Sequence, residues 1–141
     1  MHEPNRRRLP KRRKGMTFSA TVGGHLVTVS TGEYEDGSLG EVFIDMHKEG
    51  AAFRSMMNNF AILLSVSLQN GVPLSKLVDR FSGETFEPNG QVLDHDGIIE
   101  ATSVIDFIFQ ALGAQYVPGF QVRPPTKLAM MQAGMIAGGA E

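Results

Sequence analysis

A chain of 141 residues is long enough to bury one core and too short to hold a second, catalytic domain beside it. Its hydrophobic fraction of 42% and charged fraction of 20% are those of a soluble globular protein, for which a cytoplasmic location is expected. The absence of cysteine excludes a disulfide framework, a thiolate metal site and thiol redox chemistry within this chain.

The net charge of −2 conceals an asymmetry. Arg6, Arg7, Arg8, Lys11, Arg12, Arg13 and Lys14 place seven of the thirteen basic residues in the first fourteen positions, leaving a body of formal charge −8 from Gly15 onward. Residues 1–15 therefore read as a basic arm. Such a run can neutralise phosphates of a nucleic acid, or it can lie on an acidic face of this protein or of a partner. No apolar segment follows it, so it does not read as a secretory signal.

From Met16 to Thr31 the chain alternates strictly. With Gly23-Gly24 as a two-residue turn, Val22 faces His25, Ala20 faces Val27 and Phe18 faces Val29, which puts the apolar residues of both strands on one side. A second turn at Glu35-Asp36-Gly37-Ser38 leads into a strand over Leu39 to Met46. Three strands in meander order are the simplest outcome. A long helix is predicted over Ala51 to Gln69, with Phe53, Met56, Met57, Phe60, Leu63 and Leu64 as its apolar face. It stops at Asn70-Gly71, and Pro73 opens a second helix with the stripe Leu74, Leu77, Val78 and Phe81.

Residues 82–97 read as a loop with a short extended piece at Gly90 to Leu93. A third helix is expected from about Asp96, capped by that carboxylate, to Gly113, with the stripe Ile98, Ala101, Ile105, Ile108, Phe109 and Leu112. The tail, residues 118–141, contains prolines and methionines; a short helix from about Pro125 to Ile136 is one reading of it. The expected fold class is α+β, a three-stranded antiparallel meander followed by three helices packed on one face of the sheet, over residues 16–117.

Chemistry is sparse. Asp45, His47 and Glu49 fall at alternate positions and would share the polar face of a continuing strand, a partner-binding face rather than a metal cage. Asp94-His95-Asp96 reads as a loop ending in a helix cap. No glycine-rich loop feeds a helix in the manner of a nucleotide site. No catalytic, cofactor-binding or metal-binding residue is assigned; the arm cations together with Asp45, His47 and Glu49 are the candidate partner contacts.

The segments RRRLPKRRKG, VGGH, TGEYEDGSLGEVFIDMHKEGAAFRSMMNNFA, LQNGVPLSKLVDRF, FEPNG and ATSVIDFIF, in this order, resemble the C-terminal region of adenosylcobalamin-dependent ribonucleotide reductases, the segment that contains the TSCPD domain. The likeness covers roughly Glu3 to Val117. In that family a cobalamin generates a thiyl radical and cysteine pairs supply electrons for making deoxyribonucleotides. The radical cysteine, the reducing pair and the cobalamin and substrate sites lie in a large barrel that has no counterpart in these residues. The family's cysteine-rich tail is replaced here by PPTKLAMMQAGMIAGGAE, and residues 82–85 depart from its pattern. The resemblance implies a non-catalytic accessory or split-subunit domain, with adenosylcobalamin expected only on a partner catalytic chain. A repurposed interaction module that assembles with itself or with another complex, and nucleic-acid binding through the arm, are the other readings.

Overall fold

Gly23 and Gly24 turn the chain with φ of 55° and 89°, a conformation that a Cβ would oppose. In the computed structural model, which describes residues 6–138, they join β1 (Thr17–Val22) to β2 (His25–Glu33) in the register expected, Val22 opposite His25 and Phe18 opposite Val29. The acidic turn is held by Asp36, whose Oδ1 accepts from the Ser38 N–H at 2.9 Å and the Ser38 hydroxyl at 2.6 Å. It returns the chain as β3 (Leu39–Asp45), antiparallel to β2 with Val29 opposite Ile44 and Thr31 opposite Val42. One face of this meander buries Ala20, Val22, Val27, Val29, Val42 and Ile44. The other carries a hydroxyl ladder, Thr17 to Ser30 at 3.0 Å and Ser19 to Thr28 at 2.7 Å.

The helices then cover the apolar face, as the α+β reading expects. They are α1 (Ala51–Gln69), α2 (Leu74–Phe81), α3 (Val104–Tyr116) and a short α4 (Lys127–Gln132) in the tail. The sheet is wider than the meander. Gly90–Leu93 is a true strand, β4, beside β1, and Glu100–Ala101 forms β5 beside it, giving the order β3-β2-β1-β4-β5.

β3 is an edge, and α1 covers it. Ser65 Oγ accepts from the Val42 N–H at 2.9 Å, and the Gln69 amide donates to the Gly40 carbonyl at 3.1 Å. These contacts satisfy backbone groups that an open edge would offer to another chain.

Two sequence expectations are corrected. The third helix does not begin near Asp96, and that residue caps nothing. His95 Nδ1 instead accepts from the N–H groups of Gly97 (3.1 Å) and Ile98 (3.0 Å), which turns the chain into an extended segment. Ile98 and Ala101 are buried from that segment, so their helical spacing was coincidental. The real cap is Ser103, whose side chain accepts from the Asp106 N–H at 2.9 Å. The helix also runs through Gly113, where a Cβ would lie 3.0 Å from the Phe120 ring. The second correction concerns α1. It buries Met57, Ala61 and Leu64, with Phe53 and Phe60 half-buried, whereas Met56 and Leu63 are 68% and 64% exposed. Apolar residues occupy more than one face of this helix, and spacing alone cannot say which face meets the sheet.

The core is built around α3, buried from Val104 to Gly113. Phe109 stacks on Phe81 of α2 at 5.3 Å between ring centroids and meets Phe60 of α1 edge-on at 6.0 Å, so a single ring joins three helices.

Candidate functional site

The basic arm is laid down along the body by specific contacts. The Glu33 N–H donates to the Lys14 carbonyl and the Thr31 N–H to the Met16 carbonyl, extending β1 backward beside β2. Gly15 permits this approach, because a Cβ there would fall 1.8 Å from the Thr31 carbonyl oxygen. Further out, the Tyr34 hydroxyl donates to the Arg7 carbonyl at 2.8 Å, and the Arg7 guanidinium stacks 3.7 Å above the Tyr34 ring.

The fold sorts the seven arm cations into two groups. Arg6 bonds Gln69 at 2.8 Å, Arg7 meets Asp36 at 3.4 Å and Arg13 pairs with Glu41. These three hold the arm to the acidic body. Arg8, Lys11, Arg12 and Lys14 are exposed, and among the described residues they have no ion-pair partner. Tyr34 and Gln69, which organise this sorting, carry no local sequence signal. Each becomes a partner only when the turn and the end of α1 come together.

Asp45, His47 and Glu49 are not brought into one cluster. Asp45 points to Arg54 at 3.5 Å, Glu49 accepts from the His25 Nδ1–H at 2.8 Å, and His47 stays exposed. The strand ends at Asp45, and the following turn breaks the alternation that would have aligned the three. Among the described residues no group of three potential ligands stands ready for a metal ion. An open trough of about 700 Å3 is lined by Thr28, Ser30, Phe43, Asp45, Arg54 and Asn58.

Two polar sites inside the body organise the tail and the end of α3. Asp106 is fully buried; it accepts from the N–H groups of Gly83 (2.6 Å) and Thr102 (2.9 Å) and from the Gln110 amide (3.1 Å). Arg123 completes it with a bidentate pair at 3.0 and 2.7 Å. Burial alone would raise the Asp106 pKa, but Arg123 and the two backbone donors outweigh it and hold the carboxyl below its ordinary range. The one sequence signal for this site is a carboxylate set in the otherwise apolar run VIDFIF.

The second is Tyr116, whose hydroxyl lies 2.8 Å from Thr31 Oγ1 and donates to Glu33 at 2.7 Å. Burial, reinforced by the Glu33 carboxylate, pushes this phenol up to about 12. The folded state thus holds the proton more tightly than the unfolded chain. The stability this contributes is complete below the unfolded value of about 10 and is lost as pH rises through the folded one. Tyr116→Phe is expected to cost about 1 kcal/mol at neutral pH. The gap to the native protein should narrow between the two values, as read from denaturation at a series of alkaline pH. A gap independent of pH would mean that the phenol does not titrate in this way.

Among the described residues no helix is long and apolar enough to cross a membrane. The family model of the TSCPD domain matches residues 3–116. The chain is 56% identical over 112 residues to a vitamin B12-dependent ribonucleotide reductase of Agrobacterium fabrum, an overlap of 79% of this chain and 9% of the relative. It is 55% identical over 117 residues to that of Bradyrhizobium diazoefficiens, covering 83% and 9%. For Streptomyces coelicolor the figures are 43% over 122 residues, covering 86% and 12%. No solved structure matches. The chain thus spans about a tenth of the length of these curated relatives. The match runs through the meander, α1, α2 and α3, the elements that build the core, and on that ground the chain belongs to the TSCPD domain family, whose domain these vitamin B12-dependent ribonucleotide reductases share.

Proposed function

We propose that this chain is a non-catalytic accessory or split-subunit domain of a vitamin B12-dependent ribonucleotide reductase, acting in deoxyribonucleotide synthesis by docking on a separate catalytic chain. The observation that carries this reading is the 56% identity confined to 9% of a reductase: the chain corresponds to one domain of a much larger enzyme. The catalytic chain would bind adenosylcobalamin and supply the radical and reducing cysteines, since this chain has no cysteine of its own. Nucleic-acid binding through the arm has weaker support. Three of its cations are engaged by the body, and a body of formal charge −8 repels phosphate.

The test is affinity purification of the tagged protein from its own host, with mass spectrometry of what accompanies it. The expected result is a vitamin B12-dependent reductase catalytic chain at near-equal amount. A different stable partner with no reductase present would overturn the reading and identify the protein as an interaction module put to another use.

A further inference from the structure

We propose that the outward face of α1 is the surface by which this domain seats on the reductase catalytic chain, against an apolar patch flanked by carboxylates; this rests on the functional reading above. Residues of a helix recur every 3.6 positions, so α1 presents two opposed apolar stripes. Met57, Ala61 and Leu64 are buried against the domain's own core. On the far side Met56, Ile62, Leu63 and Val66 are 68%, 54%, 64% and 42% exposed. Between them stands Asn59, an uncharged amide whose side chain donates to the Ser55 carbonyl.

The charge pattern sets this face apart from an ordinary solvated helix. Of the nineteen residues of α1, Arg54 alone is charged, and it turns toward Asp45 on β3 at 3.5 Å. The outward stripe therefore presents four large apolar side chains and no charge, on a chain in which one residue in five is charged. A contiguous apolar face of this kind marks an interaction surface. Separately, Phe43, 57% exposed on β3, lines a trough with Ala51, Ser55 and Asn58 of α1 and with the Asp45–Arg54 pair.

Two observations identify the occupant. In the relatives about nine-tenths of the chain lies outside the matched segment, so a domain of this fold has a large body of its own enzyme to face. The arm also crosses the C-terminal end of α1, where Arg6 bonds the Gln69 side chain at 2.8 Å and the Arg7 N–H bonds the Gln69 carbonyl at 2.7 Å. That sets Arg8, exposed and without an ion-pair partner among the described residues, next in the chain to the arm's contact with the C-terminal end of α1. An apolar centre with a charged rim is the usual anatomy of a protein interface, and the cationic rim selects a partner with carboxylates beside its own apolar patch.

The experiment compares the full native chain with Leu63→Glu and, separately, Met56→Gln. Both residues are exposed, so both variants are expected to keep the native thermal midpoint; Met56→Gln adds no charge and serves if Leu63→Glu does not fold. Recovery of the reductase catalytic chain from the host is measured for each, together with the molecular mass of the purified protein by light scattering. Leu63→Glu, which would bury an unpaired carboxylate in the contact, is expected to reduce recovery by about tenfold or more, and Met56→Gln to reduce it less. Recovery unchanged in both folded variants, with the native protein still binding the reductase, overturns the α1 face while leaving the functional reading intact. Native protein that recovers no reductase overturns the functional reading itself. Loss of a dimer in Leu63→Glu at unchanged reductase recovery overturns the proposal by showing that a second copy covers the stripe.

Discussion

Arg123→Ala is expected to destabilise the protein by about 3 kcal/mol or more, because it leaves the Asp106 carboxylate buried without its counter-charge. Three donors remain, from Gly83, Thr102 and Gln110, but none carries a full positive charge. The loss should exceed that of any exposed ion pair in the chain, such as Arg80 with Glu84, which contributes under about 1 kcal/mol. Its pH dependence separates charge from packing. Asp106 is depressed in the folded state, so its contribution is present above the unfolded carboxylate value of about 4 and is lost as pH falls through the depressed folded value. The gap between native protein and Arg123→Ala is therefore expected to close in acid, where a protonated carboxyl needs no partner. Urea denaturation at neutral pH and at successively lower pH measures both quantities. A constant gap would assign the effect to lost packing of the arginine stem. Arg123→Lys should restore only part of the loss, since an ammonium cannot make the two parallel bonds of a guanidinium. The same pair ties the tail to α3, and the Thr126 hydroxyl and N–H on Glu100 at 2.8 and 2.9 Å continue that attachment into α4.

Phe109→Ala is expected to cost about 3–5 kcal/mol, the range for truncating a fully buried aromatic. Its ring meets Phe81 and Phe60, and the space it would leave lies between α1, α2 and α3, where no single element can move in without disturbing the others. Phe60→Ala removes a half-buried ring at the rim of the same cluster and should cost less, about 2 kcal/mol. Equilibrium denaturation of the two variants tests the ordering. If Phe60→Ala proved the more damaging, the centre of the core would lie on α1 rather than on α3.

The elements differ in how plainly they were written in the chain. The β1–β2 register followed from Gly23-Gly24 and strict alternation, because a two-residue turn permits one pairing and a slip by one residue would send every valine to solvent. The bounds of α1 followed from periodicity and from the Asn70-Gly71 stop. The start of α3 did not. Ile98 and Ala101 fit a helical spacing and are buried, yet they reach the core from an extended segment whose turn is set by His95 rather than by Asp96. The basic arm was legible as a run of charge. Its division into three anchoring cations and four without a partner among the described residues was not, because Gln69, Asp36 and Glu41 are distant in sequence and meet the arm only after the sheet and α1 are in place.

The sequence by itself determined the meander, the long helix, the family and the absence of thiol chemistry, since each depends on residue type and local spacing. Only the tertiary structure decided which of α1's two apolar stripes is core and which is surface, that Asp106 has Arg123 as its partner, and where the arm lies. Those depend on side chains far apart in the chain, and periodicity, which compares near neighbours, carries no record of what an element will pack against.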